Sequence, residues 1–170
     1  MSDTPTLSAP GIVLRPLVAA DAAALFVALS DPSVQFYRRA AAHADVAETA
    51  AYISDTLARS RAAWAITTDG GEALGRLALR MPAPSEGEFG IVLRAAAQRR
   101  GLGLGALNLA SAWAFDALDL QTLRGDIDAE NLASQALFAK AGFVQERFSP
   151  AHRSTKLGVR DSVIVVRRRA

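Results

Sequence analysis

Three glycines and two arginines fall in one short run, Gln98-Arg99-Arg100-Gly101-Leu102-Gly103-Leu104-Gly105. The run lies between Glu88-Phe89-Gly90-Ile91-Val92-Leu93, which reads as a strand, and Ala106 to Leu118, which is apolar at helical spacing. A glycine-rich turn ahead of a helix suits an anion. The first-turn amides of a helix have no internal partner, the aligned peptide dipoles leave partial positive charge there, and glycine lets a ligand approach the backbone. Arg99 and Arg100 can add charge-assisted bonds to phosphate oxygens. The chemistry this stretch suggests is the grip of a pyrophosphate.

Phosphate-binding loops come in distinguishable patterns. A P-loop closes with Lys and Ser or Thr, whereas this run closes with Gly105-Ala106-Leu107, which excludes it. A dinucleotide fingerprint in the looser GxGxxA form fits Gly101, Gly103 and Ala106, and Asp126 follows about twenty residues later, where a ribose-binding acid would stand. That fingerprint normally follows the first strand of a parallel sheet, and here several hairpin-connected strands come first. The remaining pattern is Gln98-x-x-Gly101-x-Gly103 between a strand and a helix.

The elements that must position this run can be read in order. Ile12 to Leu17 is a first strand, with Pro16 near its end, and Asp21 to Leu29 is a short helix with Leu25, Phe26 and Leu29 on one face. Asp31 can cap and Pro32 suits a first helical position, which predicts a helical turn over Ser33 to Tyr37. Asp45 is the expected cap of a helix from Val46 to Arg61. Trp64 to Thr68 and Glu72 to Met81 read as a hairpin about Asp69-Gly70-Gly71, followed by a loop from Pro82 to Ser85. After the glycine run and its helix come a strand at Thr122 to Ile127, a helix from Asn131 to Ala141 ended by Gly142, and strands at Phe143 to Phe148 and Ser162 to Arg168. Ser149 to Val159 reads as a loop. The pattern predicts one mixed α/β domain over residues 1–170, with no repeat and no linker.

Composition narrows the partners. A chain of 170 residues with 51% hydrophobic and 21% charged residues can bury a core and is ordinary for a soluble globular protein. No apolar run reaches membrane-spanning length, and Met1 to Pro10 is polar and lacks a signal pattern. The chain has no cysteine, which excludes disulfides, thiolate metal sites and a cysteine nucleophile, and suits a cytoplasmic compartment. His43 and His152 are too far apart in sequence to suggest a metal cluster. The net charge is only +2, the arginines are scattered, and the terminal Arg167-Arg168-Arg169 reads as a solvated tail, so no nucleic-acid stripe is expected.

The Gln98-x-x-Gly101-x-Gly103 run resembles the acyl-CoA pyrophosphate loop of the GNAT superfamily of N-acetyltransferases. The resemblance extends along most of the chain. Leu14-Arg15-Pro16-Leu17, Asp21 and Ser30-Asp31-Pro32-Ser33-Val34 are similar to the N-terminal signature of the Rim-type branch, which includes ribosomal-protein N-acetyltransferases. Glu88 to Leu93 is similar to that branch's strand before the loop. Asp128 to Ser134 with Phe138 to Phe143 is similar to its second CoA-contacting helix, and Arg160-Asp161-Ser162-Val163 to its closing strand. The resemblance implies a GNAT fold, a central mixed but mostly antiparallel sheet with a splayed strand pair flanked by helices. It implies acetyl-CoA as co-substrate, held by Gln98, Arg99, Arg100, Gly101, Leu102, Gly103 and Leu104 at its phosphates. Ile91, Val92 and Leu93 would meet the pantetheine arm in the manner of an added strand, with Asn131, Ser134 and Phe138 beside it.

The implied reaction is direct attack of an amine on the thioester in a ternary complex, without a covalent enzyme intermediate and without a metal. It needs a neutral amine, a polarised carbonyl and a protonated leaving thiol. Glu88 is the candidate base, acting through a water, with a solvated strand-end carboxylate as the plainer alternative. Many GNAT enzymes carry a tyrosine as acid where this chain has Phe138, which cannot donate a proton. Ser134, one helical turn earlier on the same face, or a water is the substitute. Asn131 can also simply cap its helix. The implied acceptor enters near Phe36 and Tyr37 and the segment Ser149 to Val159, whose His152, Arg153 and Lys156 disfavour a highly cationic amine. A protein N-terminus and a small-molecule amine both fit, and the protein is expected to act as a monomer or homodimer, with no nucleic-acid or membrane partner. The readings from other classes are a non-catalytic acyl-CoA-binding module, which Phe138 favours, and a dinucleotide-dependent enzyme.

Overall fold

The computed structural model describes residues 3–170. The chain runs through β1 (Leu7–Ala9), β2 (Ile12–Pro16), α1 (Ala22–Leu29), α2 (Pro32–Gln35), α3 (Val46–Arg59), β3 (Ala62–Thr67), β4 (Gly75–Ala83) and β5 (Glu86–Leu93). It continues through α4 (Leu102–Ala117), β6 (Thr122–Asp128), α5 (Leu132–Lys140), β7 (Val144–Thr155) and β8 (Gly158–Arg168). Local chemistry sets several of these starts. Asp31 Oδ1 accepts from the Ser33 amide at 2.9 Å, Asp45 Oδ1 from the Glu48 amide at 2.9 Å, and Asn131 Oδ1 from the Ser134 amide at 3.1 Å.

The strands form one sheet in the order β1-β2-β3-β4-β5-β6-β8-β7, in which β5 and β6 are parallel and the other described pairs antiparallel. Alternation along the strands gives the sheet two apolar faces. Trp64, Ile66, Leu77, Leu79, Phe89, Leu123 and Ile127 pack on one face with α4 and α5. Ala63, Ala65, Ala78 and Val92 pack on the other with α1 and α3. The helices α1 and α3 clad the second face over β3, β4 and β5. Arg15 joins the start of this layer to the sheet, donating to Asp21 at 2.7 and 3.0 Å and to the Gly70 and Gly71 carbonyls.

Several bounds differ from the sequence reading, each for a tertiary reason. Leu7–Ala9, within the polar terminus, pairs with β2 as an edge strand. β4 starts at Gly75, so Glu72 lies in the preceding turn, and the strand runs on through Pro82 and Ala83. α2 stops at Gln35, leaving Phe36 and Tyr37 beyond the helix. α4 starts at Leu102, four residues earlier than its apolar pattern, and so takes in Gly103 and Gly105. A Cβ on Gly103 would stand 3.1 Å from Leu137, and one on Gly105 3.2 Å from Ile12, so the helix start is seated by close packing that outweighs glycine's poor helix propensity. The expected loop from Ser149 to Val159 is mostly hairpin, since β7 reaches Thr155 and β8 begins at Gly158. The terminal arginines are no free tail: Arg167 and Arg168 belong to β8, and Arg168 pairs with Glu146 and Arg169 with Asp119.

Candidate active site

β5 and β6 pair over only three residues, Glu86 with Thr122, Gly87 with Leu123 and Glu88 with Arg124. Beyond Glu88 they part, so the β5 backbone from Phe89 to Leu93 has a strand partner on the β4 side alone. This wedge opens toward the end of β5, where the chain turns into α4. The side-chain Nε2 of Gln98 donates back to the Leu93 carbonyl at 3.1 Å and closes that turn.

The start of α4 has no side-chain cap. Gly101 stands at the cap position with φ +80°, a left-handed conformation that L side chains resist, and it offers no side-chain acceptor. The first helical bond runs from the Gly105 amide to the Gly101 carbonyl at 2.9 Å, which leaves the amides of Leu102, Gly103 and Leu104 without helical partners. The helices α2, α3 and α5 meet this need with Asp31, Asp45 and Asn131; α4 does not. Arg99, Arg100 and Gly101 are exposed around it, whereas Leu102 sends its side chain into the core and can meet a ligand only through its backbone.

On the sheet face away from α4, Glu88 lines a cleft of about 300 Å³ with Glu86, Arg124, Asp126, Arg147 and His152. Glu88 is 31% exposed and pairs with Arg80 at 3.3 Å. Arg124 is held between Glu86 at 3.0 Å and Glu146 at 3.2 Å. His152 Nε2 lies 3.3 Å from Asp126 Oδ2. The cleft thus begins at the apex of the wedge and carries a partly solvated carboxylate there.

The other predicted residues divide. Ser134, half-buried on α5, spends its amide on the Asn131 cap, and its hydroxyl makes no bond to another described residue. Phe138 is 2% exposed, stacked edge-on against Phe143 at 5.0 Å and laid over Gly125. Ile91 and Leu93 pack toward α4 and α5 and Val92 toward α1, as strand alternation requires. Phe36 is 48% exposed, its ring edge-on to Tyr37 at 4.9 Å, and Arg160 lies 6.0 Å from the Tyr37 ring. The hairpin tip reaches this loop: Lys156 donates through its amide to the Arg39 carbonyl at 3.1 Å, and through Nζ to the carbonyls of Arg38 and Ala40 and, very short, of Gln35. The hairpin tip is thus fastened to the loop after α2.

Residues 12–144 match the family model of the acetyltransferase (GNAT) domain. The chain belongs to the GNAT acetyltransferase family. No curated protein matches the sequence. Among solved structures, an acetyltransferase of the GNAT family from Bacillus anthracis superposes with a TM-score of 0.88 at 15% identity, over 96% of this chain and 98% of that one. RimJ of Mycobacterium smegmatis, in complex with CoA-disulfide, gives 0.83 at 22% identity over 96% and 86%. The microcin C7 self-immunity acetyltransferase MccE, in complex with acetyl-CoA and AMP, gives 0.82 at 14% identity over 95% and 94%. The GxGxxA match is thereby an incident of the GNAT loop: it follows the fifth strand of a mostly antiparallel sheet, and Asp126 faces His152 and Arg153.

Two features of this GNAT site were not read from the sequence. One is the Asp126–His152 contact, between residues on separate strands. The other is Arg76, which sits in β4 within the otherwise apolar run Leu74 to Leu79, at an inward position, and is 7% exposed. Burial pushes its guanidinium well below the ordinary arginine value, and Arg38 and Arg80 push it the same way. A charged residue at a buried strand position was the available signal. Among the described residues no group of three or more His, Cys, Asp or Glu is placed to hold a metal, and no helix is long and apolar enough to cross a membrane.

Proposed function

We propose that this GNAT protein is an N-acetyltransferase that moves the acetyl group of acetyl-CoA to a primary amine, of a protein N-terminus or a small molecule, by direct attack in a ternary complex. The observation that carries the reading is the uncapped start of α4 beside the open edge of β5. Free amides at Leu102, Gly103 and Leu104 with Arg99 and Arg100 suit a pyrophosphate, and the β5 edge at Ile91 to Leu93, which β6 leaves open, suits the amides of a pantetheine arm. Bound there, acetyl-CoA supplies an activated thioester. Glu88, at the wedge apex, takes the proton of the attacking amine through a water, and Ser134 or a water returns one to the departing sulfur, so that amide and free thiol leave with protons balanced. Gln98 keeps the loop closed, and Asn131 both caps α5 and meets the arm. Phe36 and Tyr37 border the acceptor's entry.

Calorimetric titration with acetyl-CoA and with NAD tests the cofactor: binding of acetyl-CoA is expected, and binding of NAD without CoA overturns the reading. Thiol release from acetyl-CoA over a panel of amines and ribosomal N-terminal peptides tests catalysis. Binding without release on any amine would favour the second reading, a non-catalytic acyl-CoA-binding module. The buried Phe138, which has no hydroxyl to offer a leaving thiolate, is what speaks for it.

A further inference from the structure

Arg76 is a buried cation with no counter-charge. Among the described residues Arg38, Arg76 and Lys156 join no ion pair. The one hydrogen bond of Arg76 runs from Nη1 to the Gly90 carbonyl at 3.1 Å, and its buried Nε has no partner. The Nε–Nη2 edge, the fork that pairs bidentately with carboxylate or phosphate, is therefore unspent. Arg80, the next cation on this face of β4, is committed to Glu88.

The surroundings of Arg76 are built in the same sense. Tyr52 on α3 lies 5.1 Å beneath the Arg76 guanidinium and 5.8 Å from that of Arg38. Arg38 Nη2 donates to the Tyr52 hydroxyl at 2.8 Å, so that hydroxyl keeps its own hydrogen to give away. Burial pushes Arg38 down to about 10. His43, edge-on to Tyr52 at 5.5 Å, is pushed down by its own burial and adds no negative charge. Arg38 and Tyr52 are each buried in part and keep the rest of their surface at solvent, which gives the cluster an opening. It stands on the Glu88 face of the sheet, because Arg76 lies opposite Val92 and Arg80 opposite Glu88 in one register. A buried guanidinium without a partner is costly, and a ligand's oxyanion would remove that cost.

We propose that Arg38, Tyr52 and Arg76 bind an oxyanion carried by the acceptor, which makes the acceptor a small amine bearing a carboxylate or a phosphate. This rests on the acetyltransferase reading for the word acceptor and on the cluster alone for the anion. The site lies beside the wedge, where it holds the acceptor's charged end while the amine faces Glu88.

The test uses the full chain saturated with CoA, so that the phosphates of CoA do not compete. Inorganic phosphate and acetate are titrated by calorimetry into wild type, Arg38→Met and Tyr52→Phe. Wild type should bind one of them, and Arg38→Met should weaken it roughly tenfold to a hundredfold, the worth of one or two charge-assisted bonds. No binding by wild type, or equal binding by Arg38→Met, overturns the site. Arg76→Met should abolish binding with Tm unchanged or raised, since an uncompensated charge is removed; a large fall in Tm with binding retained overturns the site. Arg38 is less buried than Arg76, so its variant decides the matter if Arg76→Met fails to fold.

Thiol release is then followed with matched acceptors, free amino acids against their amides and phosphoethanolamine against ethanolamine. The anionic member should be preferred through a lower KM, and Arg38→Met should erase that preference. Equal use of both members, or acetylation of peptides regardless of acidic residues, overturns the proposal. Anion binding with no amine acetylated sustains the pocket and sinks the acetyltransferase reading; acetylation without anion binding does the reverse.

Discussion

Gly125 and Phe138 meet at the point where β6 leaves β5, and a Cβ on Gly125 would come within 2.6 Å of the Phe138 ring. The absent side chain lets α5 settle onto β6 at the wedge apex, with Phe143 closing the other side of the ring. The ring that stands where many relatives are expected to carry a tyrosine is thus packing that fixes the wedge.

That contact predicts an overpacking penalty. Gly125→Ala should destabilise the protein by about 1–3 kcal/mol, because the ring is held and cannot retreat without moving α5. In a Phe138→Leu background the same change should cost less. Denaturant unfolding of the four proteins of this double-mutant cycle reads the coupling directly. Simple additivity would show that the ring has room to move.

A second prediction concerns acid. Asp128 is 2% exposed and accepts from Arg160 Nε and Nη2 at 2.9 Å each, which ties β6 to β8. Burial alone would raise its carboxyl, but Arg160 and the Glu130 amide outweigh burial and hold it below the ordinary value. A depressed carboxyl stabilises the fold above the unfolded-state value and loses that contribution as pH falls through the folded one. Asp128→Asn should therefore destabilise by about 1–3 kcal/mol at neutral pH, since Arg160 loses its bidentate buried partner and keeps only the exposed Glu130 carboxylate. The gap between wild type and variant should close as pH drops below about 4. Tm measured across pH checks it, and a gap that persists in acid would assign the loss to packing.

The part of this architecture legible in sequence is the part that local chemistry decides. Asp31, Asp45 and Asn131 announce helix starts because a side-chain oxygen two or three residues ahead of a free amide needs no other partner. Glu88 to Leu93 reads as a strand, and the resemblance to GNAT proteins supplies its splay. The start of α4 is not legible locally, because glycine signals a turn there, while Leu137 and Ile12 reward its smallness from elsewhere in the chain. The Arg38–Tyr52–Arg76 cluster joins three separate elements, and no spacing rule links them. Asp126 and His152 likewise meet only because β6 and the hairpin lie side by side.

The loop arginines give a third prediction. Arg99 and Arg100 are exposed and neither makes a hydrogen bond to another described residue, so replacing both with Ala should leave stability nearly unchanged. Loss of two charge-assisted phosphate contacts should weaken CoA binding by roughly tenfold or more at low salt. The effect should shrink as salt rises and vanish for pantetheine, which carries no phosphate. Titration of CoA and pantetheine into wild type and the double variant checks this, and an equal loss for pantetheine would point to a distorted loop.

Glu88 gives the last. It stands at the final β5–β6 pair, 31% exposed, with Arg80 at 3.3 Å as its charged contact. Glu88→Gln keeps the shape and a hydrogen-bonding end but cannot accept a proton from an attacking amine. Turnover should fall by roughly a hundredfold, the ordinary worth of a positioned base, with CoA affinity nearly intact because the cofactor grip proposed above lies at the far end of β5. The residual rate should climb steeply with pH as free amine accumulates without a base to make it. Arg80→Ala separates the role of the pair from that of the carboxylate: it should leave turnover within a few-fold, as expected for an exposed ion pair. Unchanged turnover in Glu88→Gln would remove this residue as the base and leave His152, across the same cleft, as the next group to replace.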